Sequence, residues 1–128
     1  MEINIPFNAW SLERIRLGKK FATTRRHKYG FKNDCFKIFG KTYKIEIVVK
    51  LPLWFISKYL YNTEGAETPL EFWKVWCDIH PKGQIENMMN WECYYHFFES
   101  VSYEDFIILK NGKDVETLHN TLENVLGE

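Results

Sequence analysis

Several things are scarce in this sequence, and each shortage excludes a class of protein. Cysteine occurs three times, at Cys35, Cys77 and Cys93. The number is odd and the spacing does not suit a metal, so neither a disulfide framework nor a metal site is expected. The three read as buried thiols in a reducing compartment, which makes a cytoplasmic location the expectation. No apolar run approaches the roughly 18 residues that a bilayer span needs, so no membrane partner is expected. The opening Met1-Glu2-Ile3-Asn4-Ile5-Pro6 has no basic stretch followed by an apolar one, so no signal peptide is expected. Repeats, low-complexity tracts and linkers are missing. Net charge is missing too: 17 Lys+Arg balance 17 Asp+Glu.

What is present fits one domain with one core. The chain has 128 residues, 45% hydrophobic and 27% charged, which is ordinary for a globular protein and excludes disorder for the chain as a whole. Aromatics are the exception, with ten Phe, seven Tyr and five Trp. The zero net charge also hides a division. Residues 1–50 carry twelve Lys+Arg against four Asp+Glu, and residues 51–128 carry five against thirteen. The densest positive stretch runs from Arg14 to Lys32. Such a patch suits an anionic partner, with RNA or DNA the commonest.

Local patterns give the elements. Ile3 and Ile5 alternate with polar residues and suggest a short strand. A helix is expected over Ala9 to Leu17, with Leu12 and Ile15 on one face and Gly18 as a left-handed cap. Phe21 to Arg26 reads as a strand, and Tyr29 to Asp34 as a turn in which Asn33 tolerates positive φ. Cys35 to Phe39 and Thr42 to Val49 read as strands around a tight turn at Gly40-Lys41. Pro52 to Tyr61 reads as a helix. Thr68-Pro69-Leu70-Glu71 is a capping signal for a second one, with Phe72, Val75, Trp76 and Ile79 on one face. Trp91 to Val101 and Phe106 to Leu109 read as strands. Asp114 opens a last helix with Val115, Leu118, Leu122 and Val125 as its apolar stripe. Strand runs broken by clustered helices indicate an α+β domain, and short strands with tight turns suit a small, partly closed barrel.

Chemistry concentrates in Leu17-Gly18-Lys19-Lys20-Phe21-Ala22-Thr23-Thr24-Arg25-Arg26. Four cations and two hydroxyls follow a glycine at a helix-to-strand junction. The Gly-x-x-x-x-Gly-Lys-Ser/Thr phosphate loop is absent. In a strand, Thr23 and Arg25 share one face while Thr24 and Arg26 share the other. Arg suits bidentate recognition of a phosphate or a base edge.

Gly18-x-Lys20-x-x-Thr23-x-Arg25 resembles the Gly-x-Lys-x-x-Thr-x-Arg motif of the ASCH domain, a PUA-like fold. Asn33-Asp34 before Cys35-Phe36-Lys37-Ile38 resembles the family's Gly-Asp turn and following strand. Glu64 ahead of Thr68 to Pro81 resembles its acidic residue before the second helix. Tyr94 to Phe98 resembles its closing strand. The resemblance covers residues 1–99, with 100–128 as an added strand and helix packed on the same domain. It implies a small barrel whose cleft is lined by the motif and which binds RNA. One branch of the family deacetylates acetylcytidine. There the catalytic Lys and Thr match Lys20 and Thr23, and the catalytic Glu matches Glu64 once a one-residue gap is allowed.

The residues support that chemistry on their own terms. A threonine hydroxyl is a poor nucleophile until a base takes its proton, and a lysine is a base near pH 7 only when its pKa falls. Lys19, Arg25 and burial would lower the pKa of Lys20, while a nearby Glu64 would raise it. The ligand set expected is Gly18, Lys20, Thr23 and Arg25, with Trp10 and then Tyr29 to stack on a base. Arg14, Lys19, Arg26 and Lys28 are expected to meet phosphates. Two other functions compete with RNA or nucleotide binding: an amidohydrolase using Lys20, Thr23 and Glu64, and a protein-interaction module. His27, His80, His96 and His119 form no metal-type spacing with cysteine, and no metal or cofactor is expected.

Overall fold

The computed structural model describes residues 1–101. The expected strand at Phe106–Leu109 and the final helix lie outside the described residues. The order is α1 (Ala9–Arg16), β1 (Ala22–Arg25), β2 (Cys35–Ile38), β3 (Lys41–Pro52), α2 (Leu53–Tyr59), α3 (Pro69–Ile79), α4 (Ile85–Met88) and β4 (Glu92–Ser100). The strands form one antiparallel sheet in the order β1-β4-β3-β2. The domain is α+β, and its sheet curls into a half-barrel. A register shift between Ile45 and Ile47 makes Glu46 the extra residue of a bulge in β3. A bulge increases local twist and helps a sheet to curl.

The sheet lies between two apolar clusters. On one side Leu53 and Ile56 of α2, Phe72 and Trp76 of α3, and Met88 of α4 pack against Ala22, Cys93 and Tyr95. On the other, Ile5 and Ile15 join Phe36, Ile38, Tyr43, Ile45 and Phe98. Phe36 stacks on Tyr43 at 5.6 Å, and Phe98 meets Phe36 edge-on at 5.1 Å. The abundance of aromatics thus goes largely into packing, at about 1.5–3 kcal/mol for each fully buried large side chain. Among the described residues no helix is long and apolar enough to cross a membrane.

Most boundaries follow from local chemistry, and three differ. Residues 3 and 5 form no strand. One parallel bridge, Glu2 to Cys35, takes its place. Pro6 interrupts the run, and Ile5 is used for packing instead. The hairpin turn is Phe39-Gly40, with φ of 51° and 78°, one residue earlier than the Gly40-Lys41 expected. Pairing Phe36 with Tyr43 places both in the core. A slip of one residue would turn them outward, so the core sets the register and Phe39 accepts an unusual φ. The single turn α4 was not expected, because four residues are too few to show a helical period.

Candidate functional site

The helix-to-strand junction is built by capping. Asn8 accepts the Ser11 N–H at 2.8 Å and opens α1. Arg14 and Arg16 in its last turn suit the negative end of the helix dipole. At the other end Gly18 has φ +73°. Its N–H bonds Ile15 O at 3.0 Å, and the Lys19 N–H bonds Arg14 O at 2.8 Å. This pair of bonds is a Schellman motif, which needs a left-handed residue at Gly18. The chain leaves α1 turned inward, and Lys20 becomes only 5% exposed. No other atom lies within 4 Å of a side chain built at Gly18, so its role is conformational.

The second half of the site arrives with the loop after α2. Thr63 O accepts from both Phe21 N–H and Ala22 N–H. The Thr63 hydroxyl joins Leu60 O and the Tyr95 hydroxyl, both at 2.7 Å. These bonds fasten the loop to the start of β1 and bury Glu64. Its Oε1 accepts the Thr24 N–H at 3.1 Å on the free edge of β1. The same oxygen stands 3.9 Å from Lys20 Nζ, which donates to Glu64 O at 3.1 Å. Gly65, at φ +97°, makes this approach possible. A Cβ there would stand 3.0 Å from the Cβ atoms of Arg14 and Lys20.

Burial is the largest influence on Lys20 and pulls its pKa below the ordinary lysine range. Glu64 pulls the other way, and Arg25 adds to the fall. Burial outweighs the carboxylate because the pair is loose, at 3.9 Å. Thr23 is 3% exposed and its hydroxyl accepts from Arg25 Nε at 3.2 Å. The Arg25 guanidinium lies 5.1 Å from the Phe7 ring and 5.5 Å from the Tyr29 ring. Two aromatic faces therefore hold the cation beside the threonine.

A cavity of about 550 Å³ opens beside this group. Lys20, Thr23, Thr24, Arg25, Arg26 and Glu64 line it from the β1 side. Phe7, Trp10 and Ser11 wall it from the N-terminal segment and α1, and Phe72, Val75, Trp76, Ile79 and His80 from α3. Tyr29 and His27 close the remaining side. The volume is that of a small-molecule site. Buried polar atoms are normally hydrogen-bonded. Thr24 Oγ1, Glu64 Oε2 and Trp76 Nε1 are buried without a hydrogen-bond partner, and all three belong to residues that line the cavity.

Of the residues expected from sequence, Lys20, Thr23, Arg25, Glu64, Trp10, Tyr29 and Arg26 meet at this cavity. The expected division of Thr23 and Arg25 from Thr24 and Arg26 does not hold there. β1 is an edge strand, so the cavity reaches both of its faces, and Arg26 lies past the strand end. Gly18, Arg14, Lys19 and Lys28 do not line the cavity. Arg14 packs over Trp10 at 4.1 Å and stands 3.7 Å from Glu71. Lys19 stands 3.6 Å from Glu67, and Lys28 lies over the Phe31 ring.

His96 is a buried residue beside the site whose place the sequence did not reveal. It is fully buried and pairs with Thr23 across the β1–β4 ladder. Its Nε2 accepts the Tyr29 N–H at 3.1 Å, and its Nδ1 faces Thr23 O and Tyr94 O at 3.2 and 3.0 Å. Accepting at Nε2 places the proton on Nδ1. Burial lowers its pKa, which keeps the ring neutral. His96 thereby ties Tyr29 to the strand that carries Thr23. A histidine inside an apolar strand was the available signal, but its partners are 67 and 73 residues away.

Cys35 and Cys93 are buried thiols, as expected, while Cys77 is half-buried. Burial raises the Cys93 pKa to about 11 and also raises that of Cys35, so neither is a reactive thiolate. Among the described residues no three His, Cys, Asp or Glu side chains group to hold a metal. Comparison of the chain with protein-family models, curated proteins and solved structures gives no match.

Proposed function

We propose that this protein is an ASCH-type, PUA-like barrel that binds a nucleoside or nucleotide-like ligand, free or within RNA, in the cavity beside β1. One observation carries the reading. A buried lysine, threonine and glutamate, drawn from segments some forty residues apart, converge on a cavity of about 550 Å³ walled by Trp10, Trp76, Phe72 and Tyr29. A base has flat apolar faces and a polar edge. The aromatic walls suit the faces, and Lys20, Thr24 and Glu64 suit the edge. Arg25 and Arg26 supply positive charge for a phosphate.

Calorimetric titration with the four common ribonucleosides and with N4-acetylcytidine tests this reading. The expected result is saturable binding of at least one nucleoside that Lys20→Ala abolishes while the variant stays folded. Absence of binding by every nucleoside would overturn it.

A second reading, hydrolysis of an acylated nucleoside, is favoured by the depressed pKa of Lys20. In this reading the neutral Lys20 amine takes the proton of Thr23, and the Thr23 oxygen attacks the acyl carbon. The tetrahedral intermediate expels the exocyclic nitrogen, which receives a proton from the Lys20 ammonium. The C–N bond is now broken and Thr23 holds the acyl group as an ester. Water, deprotonated by Lys20, then cleaves the ester to the free acid and restores the threonine. Glu64 orients Lys20, and Arg25 stabilises negative charge on Thr23. Release of acetate from N4-acetylcytidine, absent in Thr23→Val, is the expected outcome; binding without release restricts the site to recognition.

A further inference from the structure

A second, more open groove of about 470 Å³ adjoins the cavity. Its walls are His80, Pro81, Lys82, Gly83 and Trp91. His80 lines both spaces. It stacks on Trp76 of the cavity at 4.3 Å and meets Trp91 of the groove at 5.9 Å, nearly perpendicular. Arg26 bridges the two in a second way. It lines the cavity, and its guanidinium lies 3.7 Å over the Trp91 ring.

We infer that this groove is a subsite for a neighbouring nucleotide, so that the ligand is an oligonucleotide of at least two residues and not a lone nucleoside. The inference rests on the nucleoside reading of the main cavity. Three features point to this occupant. Two walls of the groove, His80 and Trp91, are rings, which suits contact with a base or ribose. Two cations flank it: Arg26, held at the seam by Trp91, and Lys82, exposed at the rim. A phosphodiester joining two nucleosides would lie at that seam. The groove also shares His80 with the cavity as a common wall, which makes the two spaces neighbours.

The test compares the best-binding ribonucleoside with the two dinucleotides that place adenosine on its 5′ or its 3′ side. One of the dinucleotides is expected to bind at least about tenfold more tightly than the nucleoside, with a salt dependence that the nucleoside lacks. Lys82→Glu and Trp91→Leu are expected to remove that gain and to leave nucleoside affinity unchanged. Lys82 is exposed, so its variant remains informative if Trp91→Leu misfolds. Equal affinity for nucleoside and both dinucleotides, or a gain untouched by Lys82→Glu, would overturn the subsite and leave the cavity reading standing. Failure of the nucleosides and dinucleotides alike would overturn both.

Discussion

Two lysines are buried among the described residues, and they are held in opposite ways. Lys44, 2% exposed, stands 2.8 Å from Glu46. It lies opposite Glu99 across the β3–β4 ladder and lines neither the cavity nor the groove described above. Glu99 hydrogen-bonds Glu46, which with burial raises its pKa to about 7. One cation thus faces two carboxylates. Lys20 is almost as buried, but its carboxylate is 3.9 Å away and a second cation, Arg25, stands nearby. The first arrangement neutralises the ammonium locally. The second keeps its charge expensive and places it at a cavity. A buried ion pair by itself says little about function; the looseness of the pair and the space beside it separate the two sites.

Lys20→Met and Lys44→Met test that contrast most strongly. Lys44→Met leaves Glu46 and Glu99 facing each other without their cation and should cost about 3 kcal/mol in denaturant unfolding. Lys20→Met also leaves a buried carboxylate, Glu64, without its cation, but the pair is looser and burial already disfavours the lysine's charge, so the loss should be smaller, about 1–2 kcal/mol. Ligand binding should reverse the order, lost in the Lys20 variant and kept in the Lys44 variant. Equal stability losses would break the comparison.

Gly65→Ala should come next, at about 2 kcal/mol, because alanine is strained at φ +97°. Its Cβ would also push against Lys20, so affinity at the cavity should fall with stability. An unchanged melting temperature would show that the loop relaxes freely.

The carboxylate pair predicts a pH effect at the Lys44 end. The Glu99 pKa is raised from 4.5 to about 7 on folding. The folded state therefore binds the extra proton more tightly. The associated stability is full below about pH 4.5 and is lost as pH rises to about 7. Glu99→Gln imitates the protonated form and should flatten this slope. Since Glu99 is exposed, solvent screening limits the gain at pH 8 to about half a kcal/mol. A slope identical in wild type and variant would assign the pH dependence elsewhere. Phe39→Asn should have the smallest effect, a gain of about half a kcal/mol from a residue that suits positive φ. It lies at the hairpin, so nucleoside binding should not change.

Where information is local, the sequence was legible. Leu12, Ile15 and Gly18 specify α1 and its end. Thr68 accepts the Glu71 N–H at 3.1 Å, with Pro69 opening α3. Gly18-x-Lys20-x-x-Thr23-x-Arg25 marked the strand that lines the cavity. His96 stayed hidden because its two clamped groups, Tyr29 N–H and Thr23 O, are distant in the chain. That Thr24 and Arg26 join Thr23 and Arg25 at the cavity was not legible, because sequence alternation does not reveal which strand is at an edge.

The sequence by itself determined the α+β class, the caps, the turns and the segment that carries Lys20, Thr23 and Arg25, since each depends on contacts within a few residues. The tertiary structure alone decided that Glu64 meets Lys20, that burial outweighs Glu64 in setting the lysine's pKa, and that α1, α3 and the edge of β1 enclose a cavity. Desolvation and cavity shape depend on what surrounds a group in three dimensions, and most of those neighbours are far away along the chain.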